Sequence, residues 1–407
     1  MEEWKKYKIG NLCSISSSKR IFAKEYQPSG IPFYRGKEII EKQKGESVST
    51  ELYISKSRYD EIKNKFGVPK EDDMLLTSVG TLGIPYIVKN ETFYFKDGNL
   101  TWFSNFKGIN SKFLYYWFLS PMAKNAIDTK AIGSTQKALT IDALSKFEID
   151  IPNIDIQNRI VSVLSSLDSK IELNRRINDN LEQQAQALFK AWFVDFEPFK
   201  DGEFVNSELG MIPKGWRMGY LSELGDIVGG STPSKAKPEY YTDNGIAWLT
   251  PKDLSVSQRK FTSKGETDIT QEGYNSCSTK LMPKGTVIFS SRAPIGYITI
   301  AKNNICTNQG FKSVIPMLAG TAFIYCFLKE ATQEIENKAT GSTFKEASGT
   351  LMKSLSTIIP ERTVLDEFEN LMNPIFKQQE VVEEENCRLA SLRDALLPKL
   401  MSGELKN

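Results

Sequence analysis

The sequence predicts an α+β protein: two mixed α/β globular domains related by a pseudo-twofold repeat and separated by two long antiparallel coiled-coil helices. Three observations predict it. Residues 155–196 contain no Gly and no Pro, and Ile160, Leu164, Leu167, Ile171, Asn174, Asn178, Leu181, Ala185, Leu188 and Trp192 step by four and three without a break. That is the 3.5-residue period of a coiled-coil seam, and roughly 40 residues at 1.5 Å each make a rod of about 60 Å. A second rod fills 363–400, with Val364, Phe368, Met372, Ile375, Val382, Leu389, Leu392, Leu396 and Leu400 as its apolar positions. Each rod follows an Ile-Pro pair, Ile151-Pro152 and Ile359-Pro360, and Gly133-Ser134-Thr135 recurs upstream as Gly341-Ser342-Thr343. Both repeats are 208 residues apart, and two coincidences at one offset predict an internal duplication.

The expected divisions are a globular domain at 1–152, a spacer helix at 153–197, a linker at 198–212, a second globular domain at 213–360 and a second spacer helix at 361–402. In the first domain the strand-like clusters are Ile31-Pro32-Phe33-Tyr34, Met74-Leu75-Leu76-Thr77 and Ile84-Pro85-Tyr86-Ile87-Val88, separated by turn residues. A helical pattern follows, whose aromatics Phe113, Tyr115, Tyr116, Trp117 and Phe118 read as core. After the rod, Glu197-Pro198-Phe199-Lys200-Asp201-Gly202 breaks the helix and the plan restarts. Trp4-Lys5-Lys6-Tyr7 is echoed by Trp216-Arg217-Met218-Gly219. Gly30-Ile31-Pro32-Phe33-Tyr34 is echoed by Gly245-Ile246-Ala247-Trp248-Leu249, and Leu76-Thr77-Ser78 by Phe289-Ser290-Ser291.

With 407 residues, 40% hydrophobic and 25% charged, the composition is that of an ordinary soluble protein with material for two or three domains. The richest apolar run, 113–119, is far too short for a membrane span. Met1-Glu2-Glu3-Trp4-Lys5-Lys6 leads into no apolar run and is not a signal peptide. Five scattered cysteines (Cys13, Cys277, Cys306, Cys326, Cys387) without C-x-x-C spacing suit buried thiols in a reducing cytoplasm. Histidine is absent, which removes every mechanism needing an imidazole. There is no phosphate-binding G-x-x-x-x-G-K-[ST] loop, no G-x-G-x-x-G after a strand, no Asp- or Asn-Pro-Pro-aromatic tetrapeptide and no G-x-S-x-G. Asp72-Asp73 reads as a solvated turn rather than a magnesium site. No catalytic residue, metal ligand or cofactor is therefore assigned to this chain.

The loops carry binding chemistry instead. Small hydroxyls, amides and cations suit phosphate contacts, and Arg, Gln and Asn suit base edges in the major groove. The candidates for DNA contact are Lys19, Arg20, Arg35, Lys37, Ser78, Thr81, Gln136 and Lys137 in the first half. In the second they are Ser231, Thr232, Lys235, Lys252, Ser291, Arg292, Gln309, Thr343 and Lys345. Landmarks repeat between the halves while the polar positions differ: Arg35 stands opposite Thr250, Val79 opposite Arg292, Gln136 opposite Phe344. One scaffold with two different targets would look like this, and so would drift after duplication alone. A net charge of only +2 requires the positive charge to be concentrated on one face or supplied in part by partners. Asn178 and Asn386 hold equivalent central seam positions, so antiparallel rods would let them meet and set the register. Antiparallel rods would also place the globular halves at opposite ends, facing two half-sites around an unread gap.

The chain resembles the specificity subunits of type I restriction-modification systems over essentially its whole length. The resemblance is carried by Gly133-Ser134-Thr135-Gln136-Lys137 ahead of Ile151-Pro152, by Ala191-Trp192-Phe193-Val194-Asp195-Phe196-Glu197-Pro198-Phe199, by Pro213-x-Gly215-Trp216, and by Leu392-Arg393-x-x-Leu396-Leu397-Pro398-Lys399-Leu400-Met401-Ser402-Gly403. It implies two target-recognition domains, each reading one half of a split, asymmetric double-stranded DNA sequence, with the helices as a ruler. It also implies a non-catalytic role beside two methyltransferase subunits and, where the system cleaves as well as methylates, two motor-nuclease subunits. S-adenosylmethionine, magnesium and ATP would then belong to those partners. Phe189, Phe193 and Phe376, on rod faces, are the expected partner contacts, with the rod's own seam as their other use. The competing reading is a coiled-coil scaffold that joins two proteins and reads no DNA; a self-sufficient fused enzyme lacks its motifs.

Overall fold

The computed structural model describes residues 4–49, 52–131, 137–208, 210–257, 259–292, 294–341 and 345–404. The four-three spacing becomes two α-helices of 40 residues each, Ile154–Phe193 and Arg362–Met401. None of the ten seam residues of the first helix is exposed, and Ile160, Leu164, Ile171, Asn174 and Ala185 are buried. In the second helix Phe368, Met372, Val382 and Leu400 are buried, but Leu392 points outward at 48% exposure while the polar Gln379 is 2% exposed.

The chain divides into two compact units, Met1–Glu172 with Cys387–Asn407, and Leu173–Asn386. The boundaries fall inside the long helices rather than at their ends, because each globular part packs on the helix segments next to it. In the first unit Ile160, Val161 and Leu164 share one core with Leu397, Leu400 and Met401 and with Phe113, Trp117 and Phe147. Asp168 there accepts a hydrogen bond from Arg393 at 2.8 Å. In the second unit Asn174 donates to Asn386 at 2.9 Å, Gln379 donates to Glu182 at 3.2 Å, and the Phe193 and Phe368 rings lie 4.8 Å apart. Within each unit the numbering of one helix rises as the other falls, so the helices pair antiparallel.

The duplication is visible in the pairing of strands. Lys5–Lys8 pairs antiparallel with Glu148–Ile151, and its echo Arg217–Tyr220 pairs antiparallel with Ser356–Ile359. The main sheet of the first unit runs Ser14–Ser16, Leu100–Ser104, Met74–Thr77, Pro85–Ile87. That of the second runs Gly225–Gly229, Lys312–Pro316, Val287–Ser291, Ile295–Ala301, Phe261–Thr262. Both units add a short parallel pairing, Ile31–Tyr34 with Tyr94–Phe95 and Trp248–Leu249 with Cys306–Thr307. The helix Ser111–Leu119 buries Phe113, Tyr116, Trp117 and Phe118 as expected of core aromatics. The stretch 198–212, expected as a linker, is ordered in part as a hairpin of Phe204–Ser207 with Gly210–Pro213. Aromatic packing explains the difference: Phe196 and Phe199 both stack edge-on against Trp216, and Ile212 is 2% exposed. Asp73 is also not a solvated turn residue; it is 9% exposed and accepts from Trp102 Nε1 at 2.9 Å.

Buried polar groups tie the globular parts to the helices. In the first unit Tyr116 donates to Asp168 at 2.7 Å, on the carboxylate that also holds Arg393. In the second, Lys260 is 7% exposed, and its ammonium lies 2.8 Å from Glu182, 2.7 Å from Gln379 Oε1 and 3.5 Å from the Phe376 ring centre. Lys329 donates to the same Glu182 at 2.8 Å. Burial works to raise the Glu182 carboxyl, but the ammonium charges of Lys260 and Lys329 outweigh it and hold Glu182 at about 2. Because the folded value lies below the ordinary 4.5, this stabilisation is present above about pH 4.5 and is lost as pH falls through about 2. Denaturant titrations between pH 5 and pH 2.5 should therefore show the wild type losing stability more steeply than Glu182→Gln, by an amount on the order of 2 kcal/mol; parallel curves would show that the cluster contributes nothing. Asn174 is 0% exposed and donates to both Glu385 and Asn386. Asn174→Ala removes both of these hydrogen bonds and should cost about 1–3 kcal/mol, read as a lower urea midpoint; an unchanged midpoint would dismiss the pair as a stabilising element.

Candidate nucleic-acid interface

In the first unit, strand Ile31–Tyr34 feeds the helix Gly36–Lys44, and Arg35 is its N-cap. Glu38, in the first turn and 0% exposed, accepts the Arg35 backbone N–H at 2.7 Å and its guanidinium at 2.7 and 3.3 Å. The carboxylate reaches back as in a capping box, and here it also holds the cap's side chain. That hydrogen bond raises the Arg35 guanidinium above its ordinary value. Arg35 and Lys37 line a cavity of about 600 Å³ together with Lys44, Val79, Thr81 and Asn99; Glu41 and Glu46 face it too. Lys37 is exposed, with its ammonium 3.7 Å from Glu41.

The neighbouring loops converge on this rim through backbone bonds. Ser78 N–H donates to Asn99 O, and Leu139 N–H donates to Ser78 O, while Val79 bridges Ala138. Thr81 and Lys137 are exposed. Gln136, with Gly133, Ser134 and Thr135, lies outside the described residues. Arg20 is exposed and donates to Asp97 at 2.8 Å, and Lys19 sits 4.3 Å over the Phe66 ring. Ser78 corrects the expectation of a DNA contact: it is 3% exposed and its hydroxyl bonds Thr101 at 2.6 Å. Just past the strand Met74–Thr77, Ser78 is held between Asn99 and Leu139 by backbone bonds, and its hydroxyl turns inward to a neighbour.

The second unit repeats the scaffold with other side chains. Trp248–Leu249 feeds the helix Pro251–Ser257, and Asp253 accepts from both the backbone N–H and the hydroxyl of Thr250 at 2.7 Å. Asp253 thus stands where Glu38 stands, with threonine in place of arginine. Lys252 is exposed and 2.8 Å from Glu266. Ser231 N–H donates to Thr307 O, and Thr232 donates to Gln309, which is exposed. Ser291 is 0% exposed, with N–H and hydroxyl both on Gly310 O, so it is corrected for the same reason as Ser78. Arg292 bridges Glu346, the position 208 residues after Ala138, and its guanidinium lies 3.6 Å from that carboxylate. Lys312 also pairs with Glu346, at 3.2 Å. Lys235 and Lys345 are exposed, the latter donating to Glu336 O at 3.2 Å. Thr343, with Ser342 and Phe344, lies outside the described residues.

The remaining expectations are changed by packing. Asn386 accepts from Asn174, not Asn178, whose Oδ1 is buried without a partner among the described residues. Asn178 instead offers its backbone carbonyl to Gln379 at 3.4 Å. Phe189, Phe193 and Phe376 are 4%, 7% and 7% exposed and belong to the core of the second unit. Phe189 and Phe193 pack on Phe323 and Phe368, and Phe376 packs on Tyr325 and Lys260. Burial at this level leaves no ring face for another chain. The residues that reading the sequence missed are Glu38 and Glu346. The first had a local signal, a carboxylate three residues after the cap; the second is brought to Arg292 only by the fold.

The model of the type I restriction modification DNA specificity domain matches residues 1–183 and again 213–378. The specificity subunit of the type I restriction enzyme MjaIX from Methanocaldococcus jannaschii is 38% identical over 191 residues, and the match spans 44% of this chain and 44% of that one. The HindI specificity subunit from Haemophilus influenzae is 28% identical over 328 residues, 66% of this chain and 71% of the relative. Among solved structures, the type I restriction-modification S subunit from M. genitalium aligns over 98% of this chain and 96% of its own with a TM-score of 0.61; at 16% identity this likeness bears on the fold alone. Matched twice by the domain model, once on each half of its duplication, the chain belongs to the family of type I restriction-modification specificity subunits.

Proposed function

We propose that this chain is the DNA-reading, non-catalytic subunit of a type I restriction-modification complex. The loop rim of the first unit reads one half of a split asymmetric target, and that of the second unit reads the other. The antiparallel helices set the number of unread base pairs between the halves. The observation that carries this reading is the repeated scaffold with exchanged polar side chains: Glu38 holding Arg35 against Asp253 holding Thr250, and Val79 beside Ala138 against Arg292 beside Glu346. Drift after duplication would vary these positions without such a pattern of paired exchange, in which a held side chain and the residue facing it change together.

Catalysis belongs to partners in this reading. Two methyltransferase subunits bring S-adenosylmethionine and methylate adenine, and two motor-nuclease subunits bring ATP and magnesium where cleavage occurs. The exposed Lys37, Lys137, Lys235, Lys252 and Lys345 serve phosphates, which position the protein without reading sequence. The complex works where the genome is, in the cytoplasm.

Co-expression with the methyltransferase subunits of its system, followed by sequencing that detects N6-methyladenine, should reveal one motif of two short blocks around a gap. Exchange of residues 1–152 for those of another specificity subunit should change one block only. Absence of any motif, although the complex forms and the methyltransferase works with another specificity subunit, would favour the scaffold. Lys37→Gln and Lys252→Gln should each weaken binding to all sequences alike and reduce the slope of log affinity against log salt by about one; an unchanged slope would remove those lysines from the phosphate path.

A further inference from the structure

We propose that a carboxylate-held arginine reads one base pair in each half of the target: Arg35, held by Glu38, in the first unit, and Arg292, held by Glu346, in the second. The inference rests on the DNA-reading function proposed above and names the residues that would carry part of its specificity.

Both arginine side chains are about a third exposed, 36% and 37%, so neither is consumed by the core. They occupy two different rim positions. The first is the helix cap after the edge strand, filled by Arg35 in one unit and by Thr250 in the other, each held by a first-turn carboxylate. The second is the residue that bridges the returning loop, Val79 across from Ala138 in one unit and Arg292 across from Glu346 in the other. There arginine and acid are present together or absent together, while the backbone bridge is the same. At these two rim positions each unit thus carries one such arginine, where its twin has none.

A planar guanidinium matches guanine O6 and N7 through two parallel hydrogen bonds, and that match requires the plane to be aimed. Arginine loses much rotamer freedom when fixed, and a carboxylate that fixes it beforehand reduces the cost of binding. Glu38 holds Arg35 by both its backbone and its guanidinium. Glu346 is paired with Lys312 as well as Arg292, so the lysine fixes the carboxylate that in turn positions the arginine. Glu38 and Glu346 are positioning residues in this scheme, and the arginines make the contact.

The test is a methylation map of the complete complex carrying Arg35→Gln, Arg35→Lys, Arg292→Gln, Arg292→Lys, Glu38→Gln or Glu346→Gln. Each arginine variant should relax one base pair in its own block, reducing discrimination there roughly 5- to 150-fold, and leave the other block intact. The lysine variants separate reading from charge: a phosphate contact tolerates Arg→Lys, whereas a two-pronged guanine contact does not. The glutamine variants of Glu38 and Glu346 should loosen the same base pair as their arginine, which a merely structural role would not single out. Unchanged motifs in the arginine variants, or lysine variants that read like wild type, would overturn the proposal while the split motif of the wild type still stood. A wild type without a split motif would instead defeat the DNA-reading function itself.

Discussion

The structure depends on an antiparallel pairing of two long helices whose register is set by buried polar groups. A seam made only of apolar residues tolerates slippage by a turn, because one leucine replaces another at little cost. Asn174, wholly buried and bonded to Glu385 and Asn386, does not tolerate it, since a slipped helix leaves its amide without partners. Lys260 adds a second constraint from outside the helix pair, since its ammonium finds Glu182 on one helix and Gln379 on the other. Only one register presents both acceptors to it.

The globular parts inherit their placement from these contacts. Tyr116 reaches Asp168 where Arg393 is already bound, and Tyr325 reaches Glu182 where Lys260 and Lys329 are bound. In each unit a tyrosine from a helix of the globular part hydrogen-bonds a carboxylate of the first long helix. The globular part of each unit is thereby joined to its own segment of the first long helix. A rim on such a support can keep polar side chains in fixed positions, which sequence reading requires. Polar rather than apolar joints are also costly to form wrongly, because a buried ammonium or amide without its partner is destabilising.

Much of the fold could be read from the residues alone, because periodicity and repetition are local properties. The helices begin and end within a few residues of the expected bounds, and Trp4 and Trp216, Ile151 and Ile359 mark equivalent strands. What could not be read depends on which residue faces which. Asn174 and Asn178 both lie on the seam, and only packing against Asn386 and Gln379 distinguishes them. Ser78 and Ser291 look like loop hydroxyls in sequence, but Ser78, just past the end of its strand, and Ser291, at the end of its own, turn inward onto Thr101 and Gly310. Phe189, Phe193 and Phe376 look like spare apolar faces until Phe323 and Tyr325 cover them. Glu346 lies 54 residues from Arg292, and no local pattern links them.

One duplicated fold with different polar side chains at matching loop positions, Arg35 against Thr250 and Val79 against Arg292, is what the proposed reading of an asymmetric sequence rests on. The most direct measurement is a guanine N7 interference footprint of the assembled complex on its own target. Two-rim reading predicts interference in two blocks separated by silent base pairs, with the Arg35→Gln complex losing a guanine from one block and the Arg292→Gln complex losing one from the other. Interference spread evenly along the duplex, or confined to a single block that both variants affect, would contradict it.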